Sequence, residues 1–197
     1  MKKTIKKTKK IPALERIADS LESIALSFKN NDSLNKLVDK QIELKKLEES
    51  EYWTITDSAS ESTYQILGKA RSLFSVYCYD EKNLDTQFPA PKKDIIVSFK
   101  KNIEPDQEHR NKSYEDFMNE AGKNFMDFRQ YLLLCIHVWE TERQHLDVMG
   151  WTRTSSLWSD GGLVCGGWLG GRSELWLSDG RRGGRRSDRG PREQFYL

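Results

Sequence analysis

The feature that most constrains this chain is an abrupt change of composition near residue 150. All 19 lysines lie at or before Lys123, and residues 151–197 contain no Lys, Asn or Ile. That stretch instead holds ten of the 13 glycines, four of the six tryptophans and eight of the 13 arginines. A glycine-rich chain loses much conformational entropy on ordering and has little regular surface to bury. We therefore expect a low-complexity, disordered tail over 150–197, which is either functional or adventitious.

The formal net charge of +2 conceals three segments of different sign. Six lysines occupy the first ten residues, 18 basic residues stand against 25 acidic ones over 11–150, and eight stand against five in the tail. A flexible basic arm over 1–11 and a tail with one Arg-Gly-Gly step either remain solvated or contact phosphates, as arginine–glycine segments do on single-stranded nucleic acid. The candidate nucleic-acid residues are Lys2, Lys3, Lys6, Lys7, Lys9, Lys10, Arg181, Arg182, Arg185, Arg186 and Arg189.

Residues 12–50 have the apolar spacing of a coiled-coil-like amphipathic helix or helical hairpin. Pro12 suits a first helical turn, and apolar residues then recur at intervals of three and four. At 29–32 the chain either turns into an antiparallel hairpin or continues as one helix, and the spacing leaves both open. The predicted helix-pairing residues are Leu14, Ile17, Leu21, Ile24, Phe28, Leu34, Leu37, Val38 and Leu44.

The centre of the predicted fold is a helix from Ser113 to about Leu146. Apolar residues follow helical spacing from Phe117 to Trp139, and Ser113 fits a helix start. The run from Tyr131 to Trp139 is apolar nearly all round, so other helices must cover it. It is far shorter than the roughly 20 residues of a membrane span. We therefore expect a mainly α protein, a small helical bundle with no membrane span.

Shorter segments complete the predicted core region over 51–149. The polar run 54–62 predicts a linker. The segment 64–78 has helical spacing, and its last residues also fit a short strand. Two prolines make 80–93 a predicted loop, and the β-branched run 94–100 predicts a strand with no evident partner.

The sequence offers little for catalysis. Only Glu142 and His145 have a metal-like spacing, whereas a di-iron bundle needs two such pairs and further carboxylates. Cys78, Cys135 and Cys165 are odd in number and form no CxxC, which disfavours a zinc site or a disulfide framework and suits a reducing compartment. We expect no enzyme, cofactor, metal or small-molecule substrate, and an intracellular, cytoplasmic or nuclear location.

Two functions remain after these exclusions. The first is a non-catalytic interaction or scaffold protein that pairs through residues 14–48 with itself or with a partner helix. The alternative is a nucleic-acid-binding accessory protein whose basic ends contact RNA or single-stranded DNA.

Overall fold

The structure is a computed structural model that describes residues 51–196. Its elements, in chain order, are β1 (Tyr52–Asp57), α1 (Thr63–Leu73), β2 (Ser75–Cys78), α2 (Leu84–Gln87), β3 (Ile95–Lys100), a 3₁₀ turn (Gln107–His109), α3 (Tyr114–Met118), α4 (Phe128–Glu142), β4 (Trp151–Leu157), β5 (Leu163–Leu169), β6 (Glu174–Gly180), β7 (Arg189–Gly190) and β8 (Phe195–Tyr196). This is an α/β fold, so the predicted mainly α helical bundle, with its coiled-coil character, is wrong. The segment on which the coiled-coil reading depended, 12–50, lies outside the described residues.

The strands form one antiparallel sheet and one mixed sheet. The antiparallel sheet has the order β1-β3-β8. The mixed sheet has the order β2-β6-β5-β4-β7; its outer pairs β2–β6 and β4–β7 are parallel, and its central pairs are antiparallel. The chain crosses from one sheet to the other four times, because β1, β3 and β8 of the antiparallel sheet are separated along the sequence by strands of the mixed sheet.

β1 occupies part of the segment that was predicted as a polar linker. Trp53 and Ile55 are buried, and the threonines that alternate with them are exposed. This is the two-residue period of a strand with one solvent-exposed face. Its partner is β3, where the strand predicted over 94–100 is confirmed. The linker prediction is wrong because polarity alone does not distinguish a loop from a half-exposed strand.

α4 lies at the centre of the core and contacts α1, β1 and β4. A capping box starts it: the Asp127 carboxylate accepts from the Gln130 amide, and the Gln130 side chain accepts from the Asp127 amide. The continuous helix predicted from Ser113 to Leu146 is wrong, because the chain leaves α3 through Gly122 at φ +74° before α4 begins. No helix within 51–196 is long and apolar enough to cross a membrane.

The tail that was predicted to be disordered forms β4 to β8 and supplies four of the five strands of the mixed sheet. Its glycines serve close packing rather than disorder. A Cβ on Gly166 would lie 1.9 Å from Cε1 of Tyr131, so the absence of a side chain is what admits the fully buried Tyr131 ring. Trp158 is buried in the same core. The expectation of disorder failed because composition does not reveal which glycines face a large neighbour.

Two buried arginines link elements that are far apart in the sequence. Nη2 of Arg192 donates to Oδ1 of Asp147 at 2.6 Å, and its Nε donates to Oγ1 of Thr152 at 2.9 Å. Nη2 of Arg129, on α4, donates to Oδ1 of Asp57 at the end of β1, also at 2.6 Å. Loss of one partner would leave an uncompensated buried charge, so substitution of either arginine should destabilise the fold.

Candidate functional site

The mixed sheet has an inner face against α4 and an outer face directed away from it. Side chains alternate along a strand, so the register assigns each residue to one face. Gly166 pairs with Leu177 and touches Tyr131 of α4, so Gly166 and Leu177 lie on the inner face. Their neighbours Gly167 and Trp176, which also pair, therefore belong to the outer face. The residues that define the outer face are Tyr77, Trp151, Arg153, Gly167, Trp176 and Arg189.

Aromatic side chains form a row across this outer face. Tyr77 pairs with Trp176 across β2 and β6, and their ring centroids are 4.6 Å apart at an interplanar angle of 30°. Tyr77 remains 41% exposed, and Trp176 is half-buried. The Trp151 indole covers Gly167, where an added Cβ would lie 2.9 Å from the ring. The row is therefore a shallow platform of planar side chains that the strands hold in place.

An arginine lies over each tryptophan of the platform. The guanidinium of Arg172 is 5.0 Å from the Trp176 ring centroid, and that of Arg189 is 5.3 Å from the Trp151 centroid. The Trp176 indole also donates from Nε1 to Oε2 of Glu174 at 2.6 Å. Cations over aromatic faces gain cation–π attraction, which fixes the positive charges beside the rings. The outer face thus combines stacking surfaces with positive charge.

A pocket of about 330 Å³ opens beside this platform, where β4, the end of β6 and the 181–189 segment meet. We call it the arginine pocket; its lining residues are Arg153, Asp179, Gly180, Arg181, Gly184, Arg186 and Arg189. It brings together three of the five tail arginines predicted from the sequence. The remaining two are directed toward α3: Arg182 pairs with Glu115 at 3.1 Å and Arg185 with Asp116 at 2.8 Å.

Arg153 was not predicted as a site residue, yet it organises the arginine pocket. It is only 3% exposed, and its Nη1 and Nη2 atoms donate to four backbone carbonyls, those of Lys112, Arg181, Arg182 and Gly184. Burial lowers its pKa from the usual arginine value. The sequence signal was the alternation in Trp-Thr-Arg-Thr, which puts Arg153 and Trp151 on one face of a strand.

The one metal-like pair of the sequence is used for packing. His145 stacks between Trp139 and Trp168, with ring centroids 4.5 and 3.3 Å away, and burial lowers its pKa. Glu142 accepts a hydrogen bond from the Trp53 indole at 2.5 Å. Across residues 51–196, no group of three or more His, Cys, Asp or Glu side chains is arranged to hold a metal ion.

The cysteines are all free and buried. Burial raises the pKa of Cys78 to about 12 and that of Cys165 to about 11, and it also raises the pKa of Cys135. The thiolate is the reactive form, so these groups are protonated and inert at neutral pH.

The remaining predicted site residues lie outside the described residues. They are the arm lysines, Lys2 to Lys10, and the helix-pairing residues, Leu14 to Leu44. Their roles stay predictions from the sequence.

No protein-family model, curated protein or solved structure matches this chain. Its function therefore has to be inferred from the chemistry of the described residues. That chemistry is concentrated on the outer face and in the arginine pocket next to it.

Proposed function

We propose that this is a non-catalytic binding protein that holds single-stranded nucleic acid on the outer face of its mixed sheet. The observation that carries the proposal is the aromatic row with an arginine over each tryptophan. Bases stack on aromatic rings and on guanidinium planes without regard to sequence, because every base has a π-face. Three of the predicted tail arginines lie in the pocket beside the row.

The arrangement favours a single strand over a duplex. Paired bases hide their faces in the stack, whereas unpaired bases expose them to rings such as those of Tyr77 and Trp176. The arginines beside the rings supply the phosphate contacts that make such binding salt-dependent. The free, buried thiols suit a reducing compartment, which agrees with an intracellular role.

The test is binding of fluorescently labelled single-stranded RNA and DNA to the full chain at low and high salt. Trp176→Ala removes one stacking ring, and Tyr64→Ala is the matched control because Tyr64 is 57% exposed but lies on α1. We expect Trp176→Ala to weaken binding by about 5- to 150-fold, which corresponds to about 1–3 kcal/mol per stacked base. Tyr64→Ala should bind like the wild type.

Three outcomes would contradict this proposal. The first is unchanged affinity of Trp176→Ala, which would mean that bases do not stack on this ring. The second is equal affinity for a duplex and for a single strand. The third is absence of binding at low salt, where the electrostatic contribution is largest.

Helix pairing through residues 14–48 stays a separate prediction from the sequence. Light scattering of the full chain and of Leu21→Asp tests it: an oligomer that Leu21→Asp converts to a monomer supports pairing, and an unchanged monomer counts against it.

A further inference from the structure

Arg153 carries a buried positive charge that no carboxylate within 51–196 neutralises. Its guanidinium contacts backbone carbonyls, and its Nε has no hydrogen-bond partner among the described residues. The other buried arginines differ, because Arg192 pairs with Asp147 and Arg129 pairs with Asp57. A buried charge is costly unless it is paired. Arg153 therefore lacks a counter-ion that both of its buried counterparts possess.

The walls of the arginine pocket add further positive charge. Arg181 and Arg189 line it, and neither has a carboxylate within 4 Å in the described part of the chain. Nε of Arg189 is buried without a partner. Arg186 also lines the pocket but is neutralised by Asp188, with Nε 2.8 Å from Oδ1. Among the described residues that line the pocket, Asp179 alone is acidic.

We propose that the arginine pocket is an oxyanion site that takes one phosphate group between Arg153, Arg181 and Arg189. Arg181 and Arg189 can each donate two parallel hydrogen bonds to phosphate oxygens, because guanidinium groups match their geometry. Arg153 offers its Nε–H alone, because its Nη atoms already donate to backbone carbonyls. The volume of about 330 Å³ accommodates such a group together with part of the molecule that carries it. The identification of this group with the backbone phosphate of a nucleic acid rests on the proposed function, whereas the anion site itself rests on the pocket.

The site is organised before the anion binds. The bonds from Arg153 to the carbonyls of Arg181 and Gly184, each 2.6 Å long, fix the backbone that carries the Arg181 side chain. Gly184 lies tightly in this turn, since an added Cβ would be 3.3 Å from the Arg181 carbonyl oxygen. A fixed loop loses less entropy on binding than a mobile one, so the ligand meets a formed site.

The test is calorimetric titration of the full chain with inorganic phosphate at constant ionic strength, with sulfate and acetate as comparison anions. We expect phosphate and sulfate to bind more tightly than acetate, because Arg181 and Arg189 offer two guanidinium forks to a tetrahedral anion. Arg181→Gln and Arg189→Gln should each lower phosphate affinity about tenfold, the effect of losing a charge-assisted hydrogen bond. Arg185→Gln is the control in the same segment, because Arg185 is directed at Asp116.

Arg153→Gln is not the deciding variant, because loss of its carbonyl contacts endangers the fold. Equal phosphate affinity of the wild type, Arg181→Gln and Arg189→Gln would overturn the inference, and so would acetate binding as tightly as phosphate.

The inference and the proposed function fail separately. Oligonucleotide binding that depends on Trp176, in a chain that does not bind phosphate, overturns the anion site and leaves the proposed function intact. Phosphate binding that depends on Arg181 and Arg189, in a chain that does not bind oligonucleotides, supports the anion site and overturns the proposed function.

Discussion

The inner and outer faces of the mixed sheet are built from the same strands but have different chemistry. On the inner face Val164, Leu175 and Leu177 are buried against the core around α4. On the outer face Tyr77 and Trp176 remain partly exposed. Because side chains alternate, neighbouring residues of one strand contribute to opposite faces.

Substitutions on the inner face should therefore affect folding, and substitutions on the outer face should affect binding. Inner residues fill space beside side chains that cannot move, so changes there lower the free energy of unfolding. The partly exposed outer residues Tyr77 and Trp176 fill less of the core, so changes there should lower affinity and cost less stability than changes on the inner face. Two of the predictions below test buried charges of the core, and two test the two faces of the sheet directly.

The largest expected effect is loss of the buried pair between Arg192 and Asp147. Arg192→Gln should lower the free energy of unfolding by about 3–5 kcal/mol, because Asp147 is left as an uncompensated buried charge. Arg185→Gln breaks an exposed pair and should cost at most about 1 kcal/mol. Urea denaturation of both variants measures the difference. Similar losses in the two would mean that burial does not separate these arginines.

The second effect concerns pH and the cap of α4. Burial raises the pKa of Asp127 from 3.8 to about 6, so the folded chain holds this proton more tightly than the unfolded chain does. The resulting stabilisation is present below pH 3.8 and is lost as the pH rises through 6. Its size is on the order of 3 kcal/mol for a shift of about two pKa units.

Asp127→Asn tests this effect, because Asn retains the cap but does not titrate. The variant should lack the decline in unfolding free energy between about pH 4 and pH 6 that the wild type shows. Parallel pH profiles for the two proteins in urea denaturation would contradict a raised pKa.

The third effect comes from packing on the inner face. Gly166→Ala puts a methyl group into the Tyr131 ring, which is held by a hydrogen bond from its hydroxyl to Asp147 at 2.9 Å. We expect a loss of about 1–3 kcal/mol from overpacking, measured as a lower thermal midpoint. Gly170→Ala has no neighbour within 4 Å and serves as the control. A thermal midpoint equal to that of the control would mean that the Tyr131 ring does not pack against Gly166.

The smallest expected effect on stability belongs to the outer face. Trp176→Ala should change the free energy of unfolding by no more than about 1 kcal/mol, although we expect it to weaken oligonucleotide binding. A core tryptophan would cost about 3–5 kcal/mol when truncated to alanine. A loss of that size in urea denaturation would assign Trp176 to the core and remove it from the binding surface.

Local signals were sufficient for some elements. The helix start predicted at Ser113 is confirmed, where a capping box with Asp116 begins the short α3 rather than a long helix. The β-branched run that becomes β3 is confirmed. Strand pairings such as Tyr77 with Trp176 join residues about 100 positions apart, and no local pattern indicates them.

The candidate site shows the same division between local and distant information. The tail arginines could be selected from composition alone. Composition could not separate the three that line the pocket from Arg182 and Arg185, which pair with carboxylates of α3. That separation depends on the direction in which each side chain points once the 181–189 segment is folded.

The change of composition near residue 150, the apolar centre of α4 and the excess of arginine in the tail can be recognised locally, because each is a property of neighbouring residues. That the glycine-rich tail forms strands follows from tertiary contacts, since Gly166 is useful only when Tyr131 of α4 packs against it. Tertiary contacts likewise bury Arg153 beside Arg181 and Arg189. Burial and charge pairing are set by partners that are distant in the chain, and a single sequence does not specify those partners locally.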